Sequence, residues 1–378
     1  MKYKILCNPL RILLHVFYYM GLSTYISYKV SPKWQRLRPV KLLVIHLLII
    51  AFLIIMILQY KYDPPYHDNF GKFYDILKFV VLFAVHLLTL LETIITGQHV
   101  CEFFHLYYKL NKSWFKSSRP LETIRRTYWK LFCYLGFSLV LTVAIEINYL
   151  VQIRKKRDWL VFFSSYTPSI FVCRCRIPQL VMYLELIRMK LLQLNQKIQQ
   201  YANGTKKVQL KFFENFIYND LTQWAKVYED IYETSVLVSR SMPVSILAIF
   251  VATYVKILSD CYWSYWVIYA KFELHEIFEC SLLLPSVLNI LLVLVVSKNC
   301  MRTAKLIPQS LHSIRHSVGN LCLSRKIQHF SLQICHQQII FKAFGCFTID
   351  CYIASGILGS IATYMMFYIQ FMPKFNYL

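Results

Sequence analysis

The residues of this sequence that could do chemistry are ionisable side chains set inside long apolar runs. Glu146, Arg174, Arg176, Lys256 and Asp260 all stand in such runs. A charged group in hydrocarbon is costly, so these residues are expected to pair with one another or to face a cavity. Lys256 and Asp260 are four apart, the spacing of a self-satisfied ion pair on one helix, and a ligand contact is the competing use. Arg174 and Arg176 are two apart, which does not suit a voltage sensor whose cations share a helix face. Ion pairs with Glu146, Glu92 or Glu185 are expected for them. Near the end of the chain Gln370 is a lone amide among apolar residues, and Phe367, Gln370 and Phe371 fall on one helical face.

Enzyme chemistry finds no comparable support. The twelve cysteines include no C-x-x-C pair, and Cys173-x-Cys175 is not a metal-ligand spacing. Buried thiols acting as small hydrophobes account for them. His312 and His316 share a helix face, but no third ligand accompanies them, and a solvated helix is the simpler reading. No catalytic constellation appears, and no metal or cofactor is implied.

The elements that must position these residues follow from composition. Of 378 residues, 57% are hydrophobic and 16% charged, with a formal charge of +23, against roughly 25% charged in a soluble domain. A disordered chain, a disulfide scaffold and an ordinary soluble enzyme are excluded, leaving an all-α integral membrane protein. About 20 largely apolar residues cross a bilayer core. Spans one to four are predicted at 40–60, 77–97, 129–153 and 159–187, spans five and six at 243–269 and 276–299, and a seventh at 347–371. The last apolar run starts at residue 339, too long for one crossing. Its first part carries Lys342 and is placed outside the bilayer. Residues 12–26 lack the features of a cleaved signal peptide and read as an amphipathic or re-entrant helix.

Lys and Arg decide the orientation. Segments 1–39, 98–128, 188–242 and 300–338, with Lys298, hold 27 of the 42 basic residues, and the opposite loops hold 8. The N-terminus is therefore placed in the cytoplasm and residues 372–378 outside, although the cluster at 154–157 runs against the trend. The +23 charge is thus mainly a topology signal and does not point to nucleic acid. The sequons at Asn111 and Asn203 fall on the cytoplasmic side, where they cannot be glycosylated. Segment 188–242 has the apolar spacing of two amphipathic helices broken at Asn203-Gly204, and segment 300–346 reads similarly. Both are expected in a cytosolic helical anchor, with solvated helices lying on the membrane as the alternative.

The topology is the reverse of a G-protein-coupled receptor. No Asp-Arg-Tyr-type triplet ends the third span, no Asn-Pro-x-x-Tyr lies in the seventh, and no G protein is expected as partner. The outer halves of the spans supply pocket candidates: Glu146, Asn148 and Tyr149; Phe163, Tyr166 and Thr167; Lys256, Asp260, Tyr262, Trp263 and Trp266; Glu279 and Ser281. Aromatic walls with a few polar groups suit a small molecule, and aromatic anchoring at the interface is the alternative for each ring singly.

Thr363-Tyr364, five apolar residues and Gln370-Phe371 form a pattern that resembles the C-terminal signature of insect gustatory receptors. Upstream, His336-Gln337, Phe341, Ala343, Gly345, Phe347 and Ile349-Asp350 resemble the family's approach to that signature. The resemblance implies a ligand-gated cation channel in the plasma membrane of chemosensory neurons, including their dendrites, assembled as a homo- or hetero-tetramer. Each subunit would give its last span to a central pore, and Phe367, Gln370 and Phe371 would line its outer mouth. Thr363 and Tyr364 would sit two turns deeper, in interhelical contacts, and Gly356, Gly359 and Ser360 would allow close helix approach. The implied ligand is a small-molecule tastant, with a lean toward bitter or aversive compounds. An odorant-type receptor of the same architecture is the nearest alternative. A transporter would show internal repeats, and no two halves of this chain match.

Overall fold

The computed structural model describes residues 8–23, 32–59, 69–113, 121–153, 157–204, 210–269, 283–314 and 321–371. Eleven helices and one small hairpin appear among them. They are α1 (Asn8–Tyr19), α2 (Pro32–Gln59), α3 (Asn69–Ile95), α4 (Gly97–Ser113), α5 (Leu121–Ile153), α6 (Arg157–Gly204), α7 (Leu210–Ser241), α8 (Pro243–Tyr269), α9 (Leu283–His312), α10 (Leu321–His336) and α11 (Tyr352–Phe371), with β1 (Lys342–Ala343) and β2 (Phe347–Thr348) between α10 and α11. The expected spans fall on α2, α3, α5, α6, α8, α9 and α11. Within them, Gly71–Ile95, Pro243–Tyr265, Leu283–His312 and Tyr352–Gln370 are long and apolar enough to cross a bilayer unaided. Exposed apolar rows, such as Leu284, Leu288, Leu291 and Val295 on α9, leave far more hydrophobic surface uncovered than water tolerates.

The bundle is organised on α6. From Ser169 to Ile198 nearly every side chain of this helix is buried, so it is covered on all sides, as a central helix must be. It packs against α9, α3, α7 and α5. Its 48 residues run about 72 Å at 1.5 Å per residue, more than twice a bilayer core of roughly 30 Å. The expected division at 187/188 is therefore not a break in the helix. One rod serves both the membrane bundle and the helices beyond it, because Leu191, Leu194 and Ile198 continue the buried stripe. The helix likewise runs on through the expected boundary at 299/300, with α9 continuing to His312.

Two other helix pairs do break, and they break together. The α3–α4 step falls at Thr96 and the α7–α8 step at Met242, where Pro243 takes the first helical position. Thr96 Oγ1 donates to Ser241 O at 2.6 Å, tying the two steps. Helix α4 occupies a segment read from sequence only as a loop. It packs on α7 through its apolar face, with Phe103, Phe104, Tyr107 and Leu110 buried.

The amphipathic helix expected at 12–26 is present as α1, one turn earlier and shorter. It ends at Gly21, whose φ of +72° closes a Schellman cap in which Leu22 N donates to Phe17 O at 2.8 Å. A Cβ at Gly21 would lie 2.7 Å from Leu90 Cδ2. Gly21→Ala is expected to remove about 1–3 kcal/mol through left-handed backbone strain and overpacking. Thermal unfolding of the purified protein in detergent checks this, and an unchanged midpoint would refute it.

The seventh span also differs from expectation. The spanning helix begins at Tyr352 and not at residue 347, because residues 342–348 fold back as an antiparallel hairpin with Lys342 opposite Thr348 and Ala343 opposite Phe347. Residues 372–378, Glu279, Ser281 and His316 lie outside the described residues, as do the side chains of Tyr149, Phe163, Tyr166, Trp266 and Phe371.

Candidate functional site

The intramembrane charges are paired. Arg174 Nη1 meets Glu146 Oε1 at 3.0 Å, and Arg176 Nη2 meets Glu92 Oε2 at 3.2 Å, the partners expected from the sequence. Glu185 instead holds Arg188 one turn away. Lys256 Nζ donates to Asp260 Oδ2 at 2.6 Å. On α3, Lys78 lies 3.2 Å from Asp75 and 3.8 Å from Asp260, so the α8 pair extends into a four-member chain. Trp263 Nε1 closes its outer end by donating to Asp75 Oδ1 at 3.2 Å. Lys78, Lys256 and Arg174 balance Asp75, Asp260 and Glu146, which leaves the buried cluster neutral in a medium that penalises net charge. Asp75 and Lys78 escaped the sequence reading because they lie outside or at the start of the apolar window drawn for span two. Their i, i+3 spacing beside an apolar run was the available signal.

Beside this cluster Arg174, Thr253, Lys256, Ser286 and Asn289 line a cavity with about 20 Å³ of internal volume, room for a water or two. Ser286 Oγ and the two terminal nitrogens of Arg174 find no hydrogen-bond partner among the described residues. Glu146 meets Arg174 off the hydrogen-bonding line, so donors at the cavity wall stay open.

Of the sequence-expected pocket residues, Glu146 and Asp260 are engaged as above. Tyr262 is buried in an aromatic cluster with Tyr74 (stacked, 6.0 Å) and Tyr368 of α11 (edge-on, 5.4 Å), and Trp263 packs against Tyr262. Asn148 is exposed on α5 and is not brought to this cluster. The structure thus collects Tyr262, Trp263 and Asp260 on α8 with Tyr74, Asp75 and Lys78 on α3, and joins them to the last helix through Tyr368.

Helix α11 meets the rest of the chain mainly through α8. Tyr368 is the single buried side chain among its described residues, while Thr363, Tyr364, Phe367 and Gln370 are exposed. Thr363 Oγ1 returns its hydrogen bond to Gly359 O at 3.0 Å. Gly356 and Gly359 face open space within one chain, and Ser360 hydrogen-bonds Tyr254.

The residues upstream build the foot of this helix. Asp350 Oδ1 accepts from Tyr352 N at 3.0 Å, an N-cap that places a carboxylate at the positive end of α11. Gly345 supplies a φ of +77° in the hairpin turn. Gln337 O accepts from the Tyr228 hydroxyl at 2.9 Å, docking the end of α10 on α7. His336 is exposed at that end.

The fold and its charged interior define an all-helical, multi-pass membrane protein whose last helix is left almost uncovered by its own chain. The sequence profile of the 7tm Chemosensory receptor family matches residues 10–375, and the chain belongs to that family. It is 24% identical over 348 residues to a putative gustatory receptor 2a of Drosophila melanogaster, with 80% of this chain and 79% of that protein covered. Among solved structures it resembles the insect olfactory receptor OR5 of Machilis hrabei, at TM-score 0.56 and 10% identity with 96% of both chains covered. The same receptor in complex with eugenol gives TM-score 0.50 at 10% identity, covering 95% of this chain and 96% of that one. The gustatory-receptor resemblance read from the C-terminal motif therefore holds, and the protein is a chemosensory receptor and not an enzyme.

Proposed function

We propose that this chain is one subunit of a ligand-gated, non-selective cation channel that detects small-molecule tastants in the plasma membrane of chemosensory neurons. The observation that carries the proposal is α11: an apolar helix, capped by Asp350, whose surface apart from Tyr368 is left largely open by its own chain and which carries the exposed amide of Gln370. Four such helices around an axis, from identical or related subunits, would place Gln370 amides beside rings of Phe367 and Phe371. Neutral dipoles coordinate cations without trapping them, and apolar rings gate by dewetting.

The contact of Tyr368 with Tyr74 and Tyr262 offers a route from the α3–α8 cluster to α11, so that a ligand wedged into the cluster would move the last helix. The Machilis receptor in complex with eugenol supports a small organic ligand, and bitter or aversive compounds are the favoured class. Cytoplasmic placement of α4 is supported by Asn111, whose side-chain oxygen is held by buried Lys190 in a packed helical position unsuited to a glycan.

Whole-cell recording of Gln370→Ala and Phe371→Ala, with surface expression measured in parallel, tests the pore. Altered cation current or gating at normal surface level is expected. Wild-type conductance and selectivity in both variants would remove the assignment.

A further inference from the structure

One face of α9 changes character at the edge of the bilayer without changing register. Leu284, Leu288, Leu291 and Val295 are exposed, and exposed Lys298, Arg302 and Lys305 continue the same row. Alternating steps of four and three residues hold such a row on one side of a helix. The opposite side is packed inside the chain through Val293, Cys300, Ala304 and Ile307. The row therefore points outward along its whole length, apolar first and cationic after.

The three cations stand without counter-charges. Helix α9 contains no Asp or Glu from Leu283 to His312. Among the described residues no carboxylate comes within ion-pair distance of Lys298, Arg302 or Lys305. Cations on neighbouring helices are matched: Lys109 lies 3.4 Å from Asp230, and Arg188 lies 2.8 Å from Glu185. The positive-inside bias asks only that basic residues follow a span. It does not ask them to keep the register of the lipid-facing row, yet every Lys and Arg of α9 does.

Their level also fits a headgroup. Lys298 stands about 4.5 Å beyond Val295, and Lys305 about 15 Å beyond it, at 1.5 Å per residue. Headgroups add about 5–7 Å to each side of the hydrocarbon core. Helical side chains lean toward the N-terminus, which on α9 is the membrane end of the row. The long stems of Arg302 and Lys305 can therefore reach back toward that layer. An acyl chain on the apolar row and a phosphate on the cations are two parts of one molecule. A soluble anion or an acidic peptide would leave the apolar row without a role.

We propose that this stripe binds an anionic phospholipid of the cytoplasmic leaflet, with acyl chains along Leu288, Leu291 and Val295 and the headgroup on Lys298, Arg302 and Lys305. Three cations in one row favour a headgroup with more than one phosphate, and the Arg302 guanidinium can hold a phosphate through two parallel N–H donors. The inference rests on the cytoplasmic placement of this end of α9, because anionic lipids lie in that leaflet. It is independent of the pore assignment.

Full-length protein in detergent is titrated with dioctanoyl phosphatidylinositol bisphosphate, phosphatidylserine and phosphatidylcholine, and bound lipid is measured by native mass spectrometry. The bisphosphate is expected to bind most tightly and phosphatidylcholine least. Arg302→Gln should weaken the bisphosphate about fivefold, and Arg302→Gln with Lys305→Gln about 25-fold, at an unchanged unfolding midpoint. Lys305→Gln alone decides the matter should Arg302→Gln fold poorly. Lys112→Gln removes the same charge from α4 and should leave binding unchanged. Equal binding of phosphatidylcholine, or equal weakening by Lys112→Gln, would overturn the site. Inositol trisphosphate, which has the phosphates and no acyl chains, would overturn the lipid as occupant by binding as tightly. A glycan on Asn111 in cells would overturn the leaflet separately. Lipid binding in detergent does not depend on conduction, so its failure leaves the channel reading standing, and a silent channel leaves the lipid site standing.

Discussion

Arg176→Ala is expected to destabilise the protein by about 3–5 kcal/mol, the cost of breaking a buried ion pair from one side. Arg176 is 1% exposed and donates to four partners at once. It reaches Glu92 on α3, Ser245 Oγ at the start of α8 (3.1 Å), Gln179 Oε1 on its own helix (2.9 Å), and Leu22 O just after the α1 cap (3.0 Å). Glu92 in turn accepts from the backbone N–H groups of Val244 at 2.7 Å and Ser245 at 3.1 Å. A carboxylate is thereby set at the N-terminus of α8, where the helix dipole and unsatisfied donors favour an anion.

Removing the guanidinium strands a buried carboxylate and two buried acceptors. Removing both charges, as in Arg176→Met with Glu92→Leu, relieves the stranded charge but leaves the α8 donors without an acceptor, so recovery should be partial. Unfolding midpoints of the two single variants and the double variant in detergent give the coupling directly. Strictly additive losses would show that the two residues do not act as a pair.

A rise in stability with pH is the second large effect, and Lys190 is its source. This residue, three positions beyond the fourth expected span, is 2% exposed between α4 and α6. Its ammonium donates to Gln193 Oε1 at 3.2 Å and to Asn111 Oδ1, and sits 5.1 Å from the centroid of the Tyr107 ring. Burial pushes its pKa down from 10.5 to about 7. Between those values the unfolded chain binds a proton that the folded chain does not. Stability should therefore climb as pH rises from about 7 toward 10.5, by at most about 1.4 kcal/mol per pH unit from this group. Below about 7 the full penalty of a buried cation applies. Lys190→Met should be the more stable protein near neutrality and should flatten the profile. Unfolding at pH 7, 8, 9 and 10 compares the two, and parallel profiles would dismiss Lys190 as the titrating group.

Much of this architecture is legible in the sequence because a bilayer imposes a simple rule. Apolar runs of sufficient length become helices, since backbone groups in hydrocarbon must be satisfied within the segment. The pairs Arg174–Glu146 and Arg176–Glu92 were legible for a related reason: few opposite charges exist in the apolar runs, so few partners are available. The helix break expected at Asn203-Gly204 falls at the edge of the described residues, which resume at Leu210. The unbroken α6 was not legible. In segment 97–113 Val100, Phe103, Phe104, Tyr107 and Leu110 do keep the spacing of an amphipathic helix, but nothing in that spacing says that α7 covers the face.

What the sequence determined by itself is the class: an all-helical membrane protein whose terminal motif places it among gustatory-type chemoreceptors. Composition, periodicity and a short spaced pattern carry that much because they are properties of single segments. The tertiary structure alone decided that Asp75 and Lys78 join Lys256 and Asp260, that Glu92 caps a helix at a residue 152 positions later in the chain, and that Phe344 is held in a left-handed turn. Each of these is a meeting of distant segments, and the free energy of burying a charge or bending a backbone is set by what stands opposite it.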